Sequence, residues 1–137
     1  MEYKKTLLSL VLIIITCFYG CDRLWPDCYW SSERYVLLAI DTKSQMSLCF
    51  DLENGTAMGL VDPTVFSIGA NSNYIVVKQH PPTKRSITNY FIVERNQSPN
   101  SNERQKGVRG PMGKDEFDKL SKTLSLPDFS KTFDDLK

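Results

Sequence analysis

Apolar and polar residues alternate in short segments through the middle of the chain, and turn residues such as Asn, Gly and Pro separate these segments. Such alternation, or a short continuous apolar run, is typical of β-strands. Short polar connectors favour antiparallel neighbours, so the pattern predicts a meander sheet of about six strands. The predicted strands are residues 35–40, 45–52, 56–61, 65–70, 74–79 and 88–94.

A helical period replaces this alternation near the C-terminus. Phe117, Leu120 and Leu124 lie at positions i, i+3 and i+7, and acidic residues in the first turn suit the helix dipole. We therefore predict one amphipathic helix that begins after Gly113 and ends before Pro127, and an α+β fold. The tail beyond Pro127 either lies back on the sheet or forms another short helical turn.

The composition is that of one ordinary small globular domain, with 41% hydrophobic and 24% charged residues in 137. We predict a single domain over residues 35–137. Within it, residues 95–113 contain almost no apolar side chains, and this favours a mobile loop or a hairpin arm with indistinct ends.

The N-terminus has the pattern of a signal peptide. Lys4 and Lys5 precede an uncharged apolar run from Thr6 to Tyr19, which is shorter than the ~20 residues of a membrane-spanning helix. It matches the ~7 to 15 residues of a signal-peptide core. We predict that residues 1–20 are a lipoprotein signal peptide. An uncleaved anchor and ordinary secretion are the open alternatives.

The residues around the predicted cleavage point resemble a lipobox. Phe18, Tyr19, Gly20 and Cys21 are similar to the looser lipobox of Bacteroidota lipoproteins, in which bulky residues precede the small residue. That resemblance implies acyl chains such as palmitate on the sulfur and amine of Cys21. Two or three long chains hold a protein on a membrane far more firmly than one. We therefore expect a lipid-anchored protein of the cell envelope, on the periplasmic side or at the cell surface.

Residues 21–34 are predicted to form an acylated tether between the lipid and the domain. Both tryptophans of the protein, Trp25 and Trp30, fall in this segment. Indole rings prefer the membrane interface, so these side chains either hold the domain close to the bilayer or pack against the domain.

Two cysteines remain once Cys17 leaves with the signal peptide and Cys21 is acylated. Cys28 and Cys49 either form a disulfide, which an oxidising compartment permits, or stay separate thiols. A disulfide closing a loop of this length stabilises by about 3 kcal/mol in the chain-entropy model. We predict no metal site, because a single histidine leaves the ligand set incomplete.

The net charge gives no reason to expect nucleic acid as a partner. The 17 basic and 16 acidic residues lose Lys4, Lys5 and Glu2 with the signal peptide, which leaves 15 of each. The charge is uneven, because residues 22–77 contain three basic and seven acidic side chains. This is either a set of solvated loops or a contact surface for a charged partner.

The residues offer no recognisable catalytic arrangement. A Ser-His-Asp or Cys-His site would have to use His80, the only histidine, which precedes two prolines and is expected at the surface. Glycine-rich phosphate loops and nucleophile elbows are also missing from the sequence. We therefore expect a protein that is not an enzyme and that needs no cofactor.

Several segments together resemble a family of small uncharacterised bacterial lipoproteins. They are residues 35–41 (YVLLAID), 66–71 (FSIGAN), 74–81 (YIVVKQHP), 90–92 (YFI) and 110–112 (GPM) ahead of Phe117. The resemblance covers most of the chain after the signal peptide. It implies an envelope location but no activity, ligand or catalytic residue.

Two functions from different classes are consistent with these observations. The first is a noncatalytic envelope lipoprotein that binds another envelope protein, for example as an immunity-type inhibitor. The alternative is a small hydrolase that acts on cell-wall or glycan material, for which a cleft with converging Asp or Glu groups would be required. The first is our prediction, and the oligomeric state stays open.

Overall fold

The computed structural model describes residues 26–96, 98 and 100–137, which contain nine strands, two α-helices and two 3-10 turns. The strands are β1 (Asp27–Ser32), β2 (Tyr35–Ala39), β3 (Ser47–Asp51), β4 (Ala57–Val61), β5 (Val65–Ala70), β6 (Tyr74–Gln79), β7 (Asn89–Glu94), β8 (Val108–Met112) and β9 (Lys131–Thr132). The helices are α1 (Ser101–Lys106) and α2 (Lys114–Leu124), and the turns are Lys43–Gln45 and Asp134–Leu136. The α+β class is confirmed, and the six predicted strands correspond to β2 to β7.

The strands form two antiparallel sheets rather than the single meander that we predicted. The first sheet has the order β1-β2-β3-β4, and the second has the order β8-β7-β6-β5-β9. The chain leaves the first sheet at Asp62 and enters the second at Val65. Pro63 lies between them, and because proline lacks a backbone N–H it cannot continue a hydrogen-bonded ladder.

One apolar core lies between the inner faces of the two sheets. Along β2, Tyr35, Leu37 and Ala39 are buried while the residues between them are half-exposed, as the alternation of a strand requires. The first sheet adds Met46, Leu48, Phe50, Leu60 and Val61, and the second sheet adds Val65, Phe66, Ile68, Ile75, Val77 and Val93. The C-terminal residues Phe133 and Leu136 complete this core.

Helix α2 covers the outer face of the second sheet. Phe117 is the buried residue of this helix, and its ring lies 4.9 Å from the Tyr90 ring on β7. Val76, Ile92 and Met112 join them in a second apolar cluster. The predicted helix is therefore confirmed. No helix among the described residues has the length and apolar content that crossing a bilayer requires.

The tether predicted over residues 21–34 is wrong for residues 27–32, which belong to the folded domain. Residues 27–32 form β1, which pairs with β2 through a tight turn where Glu33 has a positive φ of 54°. Trp30 lies opposite Leu37 and packs against the core between the sheets, so its contact is with the domain. Trp25 and Cys21 lie outside the described residues.

Of the two alternatives that the sequence left open, the segment 95–113 forms the hairpin arm and not the mobile loop, because β8 pairs antiparallel with β7. It contains α1, whose N-cap residue Asn100 accepts a hydrogen bond from the Asn102 N–H, and β8, which pairs with β7. Both elements are mostly polar and exposed, and their buried residues are Arg104 in α1 and Met112 in β8. After Pro127 the tail does both things that the sequence allowed. It adds β9 beside β5 and ends in a 3-10 turn.

His80 is buried, contrary to the surface position that we predicted. Only 1% of the residue is exposed, and its ring stacks on Phe66 with 5.6 Å between the ring centres. Its Nε2 atom lies 2.5 Å from the Leu136 carbonyl oxygen. The backbone of His80 also exchanges two hydrogen bonds with Thr64, at 3.0 and 3.1 Å. The histidine thus joins β6 to the sheet crossing and to the C-terminus.

Residue 69 on β5 must be glycine because the backbone of Asp128 and Phe129, in the C-terminal tail, passes directly over it. A Cβ atom at this position would lie 1.8 Å from the Asp128 carbonyl oxygen. We expect Gly69→Ala to lower the free energy of unfolding by about 1–3 kcal/mol, because the tail must move away from β5. Urea denaturation measures this change. Gly59→Ala is the matched control, since nothing lies within 4 Å of a Cβ there, and it should shift stability by no more than about 0.5 kcal/mol. Equal effects of the two substitutions would contradict this packing.

Candidate functional site

The outward side of the first sheet carries apolar side chains although neither described helix covers it. Val36 and Leu38 alternate along β2 with core residues, so they point away from the core. A strand that is apolar on both sides is typical of one buried on both faces. Among the described residues, α1 and α2 make their main contacts with β8 and β7 of the second sheet. β2 therefore has an apolar side that the described part of the chain leaves uncovered.

Strand pairing places two cysteines on the same side as these residues. Cys28 on β1 lies opposite Leu38, and Cys49 on β3 lies opposite Val36. Directly paired residues of antiparallel strands face the same side of a sheet. We call this surface the open face and define it by Cys28, Val36, Leu38, Cys49 and Ala57.

A groove of about 450 Å³ lies on the open face. Pro26, Val36, Leu38 and Ala57 give it apolar walls, and Cys28 lies among them. The groove lies on a face of the sheet, where β2 already pairs with β1 and β3, so a segment of another chain would contact it through side chains.

Acidic residues form the rim of the groove at the turn between β3 and β4. The Asp51 carboxylate accepts a hydrogen bond from the Glu53 N–H at 2.8 Å, and Glu53 lies 3.4 Å from the Arg34 guanidinium. Arg34 also donates from Nε to the Asp51 carbonyl oxygen and packs over the Phe50 ring at 4.7 Å. Both carboxylates are therefore engaged in the structure of the turn.

A disulfide, one of the two alternatives for Cys28 and Cys49, is not formed. The two cysteines lie on β1 and β3 with β2 between them, and strands two places apart are separated by about 9.5 Å. A disulfide needs Cα atoms within about 7 Å. The other alternative, two unpaired thiols, is the one that the structure has.

The two thiols differ in environment. Cys28 is exposed, and its thiol donates a weak hydrogen bond to the Trp30 carbonyl oxygen at 3.5 Å. Cys49 is buried, and burial raises the pKa of its thiol above the ordinary value, against the opposing effect of the Ser47 hydroxyl. A raised pKa means less thiolate at neutral pH. Cys28 is therefore the more reactive of the two.

His80, the histidine that a catalytic site would need, packs inside the core instead of lining the groove. A second cavity is lined by Glu94, Arg95 and Glu103 among others. Within the residues described, no three His, Cys, Asp or Glu side chains lie close enough together to hold a metal ion.

The open face was not identified from the sequence, although one signal pointed to it. Residues 35–40 are a continuous apolar run beside strands that alternate. Such a run indicates a strand with two apolar sides, and Val36 and Leu38 provide the second side. Sequence alone did not say which of these sides another element would cover.

Most of the domain matches the profile of one protein family. The profile of a family described as "Protein of unknown function (DUF3997)" matches residues 32–137, which include β2 to β9 and both helices. No curated protein and no solved structure matches the chain. The chain belongs to the uncharacterised family DUF3997.

Proposed function

We propose that this protein is a noncatalytic lipoprotein of the bacterial envelope, of the Bacteroidota type, and that its open face binds another envelope protein. The observation that carries the binding proposal is the apolar groove over Val36 and Leu38, which no described helix covers. Apolar surface that stays in contact with water is costly, and contiguous apolar patches on soluble domains commonly mark interaction sites.

The chemistry of the groove indicates the kind of partner. Its walls are apolar, and its rim carries Asp51 and Glu53. Residues 27–62, which form the first sheet, contain six acidic and two basic side chains. Both basic residues bind carboxylates within the domain, Arg34 at Glu53 and Lys43 at Asp135. A protein segment with apolar side chains and a flanking basic residue complements this surface.

The membrane anchor rests on the N-terminal sequence. Cys21 follows a basic start, an apolar run and Gly20, and this order is typical of a lipoprotein signal. Residues 22–26 separate Cys21 from β1, and five extended residues span at most about 18 Å. An acylated Cys21 therefore holds the domain close to the bilayer, where an envelope partner is at high local concentration.

Substitutions in the groove test the binding proposal. In a pull-down of the tagged full-length protein from detergent-solubilised membranes, the wild type should retain one stoichiometric partner. Val36→Lys combined with Leu38→Lys should recover at least about tenfold less, a loss of about 1.4 kcal/mol of binding free energy, because two ammonium groups would have to leave water for an apolar groove. Ser72→Lys with Thr123→Lys adds the same charge at exposed positions elsewhere and should retain the partner.

Two readouts make this result decisive. Thermal unfolding shows whether the lysine variant is folded, and Val36→Ser with Leu38→Ser is the milder replacement if it is not. Alkylation of Cys28 should be fast in the protein alone and slow in the complex, because Cys28 lines the groove. Undiminished capture by the folded variants would contradict the proposal. Slow alkylation in the protein alone would also contradict it, since a segment of this chain would then fill the groove.

The anchor is tested at its cysteine. Mass spectrometry of the wild type purified from membranes should show a chain that begins at an acylated Cys21. Cys21→Ser should abolish the modification and the cleavage before residue 21, because no sulfur remains for the lipid. Cys17→Ser is the matched control within the signal peptide and should leave processing unchanged. An intact Met1 on the wild-type protein, or its release from vesicles by salt alone, would exclude the anchor.

A further inference from the structure

The large apolar side chains that the described residues expose most fully lie in two loops. Ile40 follows β2 and is 77% exposed, and Ile87 precedes β7 and is 43% exposed. Neither side chain contributes to the core between the sheets or to the cluster beneath α2. Both side chains keep apolar surface in contact with water, so both positions are available for an apolar contact outside the domain.

Both loops lie at the same end of the domain. The hydroxyl of Thr64 at the sheet crossing donates to the Ser44 carbonyl oxygen in the loop after β2. The backbone of Thr64 also bonds to His80, where the loop after β6 begins. Lys43 binds the Asp135 carboxylate at 2.7 Å. The loops 40–46 and 80–88 and the C-terminal turn are thus joined at one end.

The chain also enters the domain at this end. Asp27, the first residue of β1, pairs with Ala39, so Pro26 lies beside the position where Ile40 begins its loop. We call this the entry end and define it by Pro26 and the loops 40–46 and 80–88. The tight turns at residues 33–34 and 71–73 lie at the opposite end of their sheets.

We propose that the entry end rests on the phospholipid bilayer and that Ile40 and Ile87 are its apolar contacts. This inference rests on the proposed acylation of Cys21, because residues 22–26 then keep the entry end within about 18 Å of the lipid. Lys84 and Arg85 are exposed beside Ile87, where their long side chains can reach phosphate groups while their stems lie along the acyl boundary.

The proposed orientation has a consequence for the open face. Strands β1 to β4 run between the entry end and the opposite end, so the first sheet stands upright on the membrane. The groove over Val36 and Leu38 then faces sideways. A partner anchored in the same membrane can reach it by lateral diffusion, without passing between the domain and the lipid.

The test uses the mature acylated full-length protein in vesicles of phosphatidylcholine and phosphatidylglycerol. In a Cys28→Ser background, Ile40→Cys and the matched control Ser72→Cys each carry one polarity-sensitive fluorophore, since Cys49 is buried and both new positions are exposed. The Ile40→Cys label should shift its emission to the blue and lose intensity when the lipids carry a nitroxide. The Ser72→Cys label, in the turn after β5, should do neither.

The N-terminal mass of each sample separates the two ways in which the test can fail. If Cys21 is acylated but the two labels behave alike, the proposed orientation is wrong and the anchor stands. If Cys21 is not acylated, both the anchor and the orientation are overturned. Labelling at Ile87→Cys repeats the measurement in the second loop, and a label there that matches Ser72→Cys would also overturn the proposal.

Discussion

The two sheets are stable only together, because each buries its inner apolar face against the other. Their junction is the short crossing around Thr64, whose backbone pairs with His80 on one side while the neighbouring Val65 N–H donates to the Met46 carbonyl oxygen on the other. His80 in turn packs on Phe66 and contacts the Leu136 carbonyl oxygen. A change that opens this junction exposes both inner faces, so the domain should unfold as one cooperative unit.

Because the two sheets share one core, each sheet also has an outer face. The two outer faces differ in whether a described helix covers them. The second sheet receives α2, which buries Phe117 against β7. Helix α1 contacts the first sheet through Gln105, which donates to the Gly59 carbonyl oxygen, but no described helix covers the outer face that Val36 and Leu38 make apolar. The proposed function follows from this difference, because the folded domain keeps an apolar surface that a partner can bury. The entry end adds a second contact surface with a different orientation.

Alternating or continuous apolar segments of strand length, and one segment with a helical period, identified most of the elements. β2 to β7 and α2 were predicted for this reason. β1 was missed because its aromatic residues were assigned to a tether, and β8 because an edge strand with Arg109 and Pro111 has little apolar pattern. β9 has two residues and depends on the close approach of the tail to Gly69, which no local pattern records.

The candidate site was less predictable than the fold for a physical reason. Alternation of residue types with a period of two shows which side chains share a side of a strand. The arrangement of elements distant in sequence decides which of the two sides is covered. The same limit applies to His80, whose two following prolines suggested a loop at the surface. Its burial depends on Phe66 and on the last residues of the chain, which lie far away in sequence.

The difference between the two outer faces can be measured directly by methyl NMR of the acylated protein in lipid nanodiscs with a soluble paramagnetic agent. If the outer face of the first sheet is uncovered, the Val36 and Leu38 methyl signals should broaden strongly. The methyl signals of Val76 and Ile92, which lie beneath α2, should stay sharp. Equal protection of all four residues would contradict the account, because the first sheet would then be covered and no open face would exist.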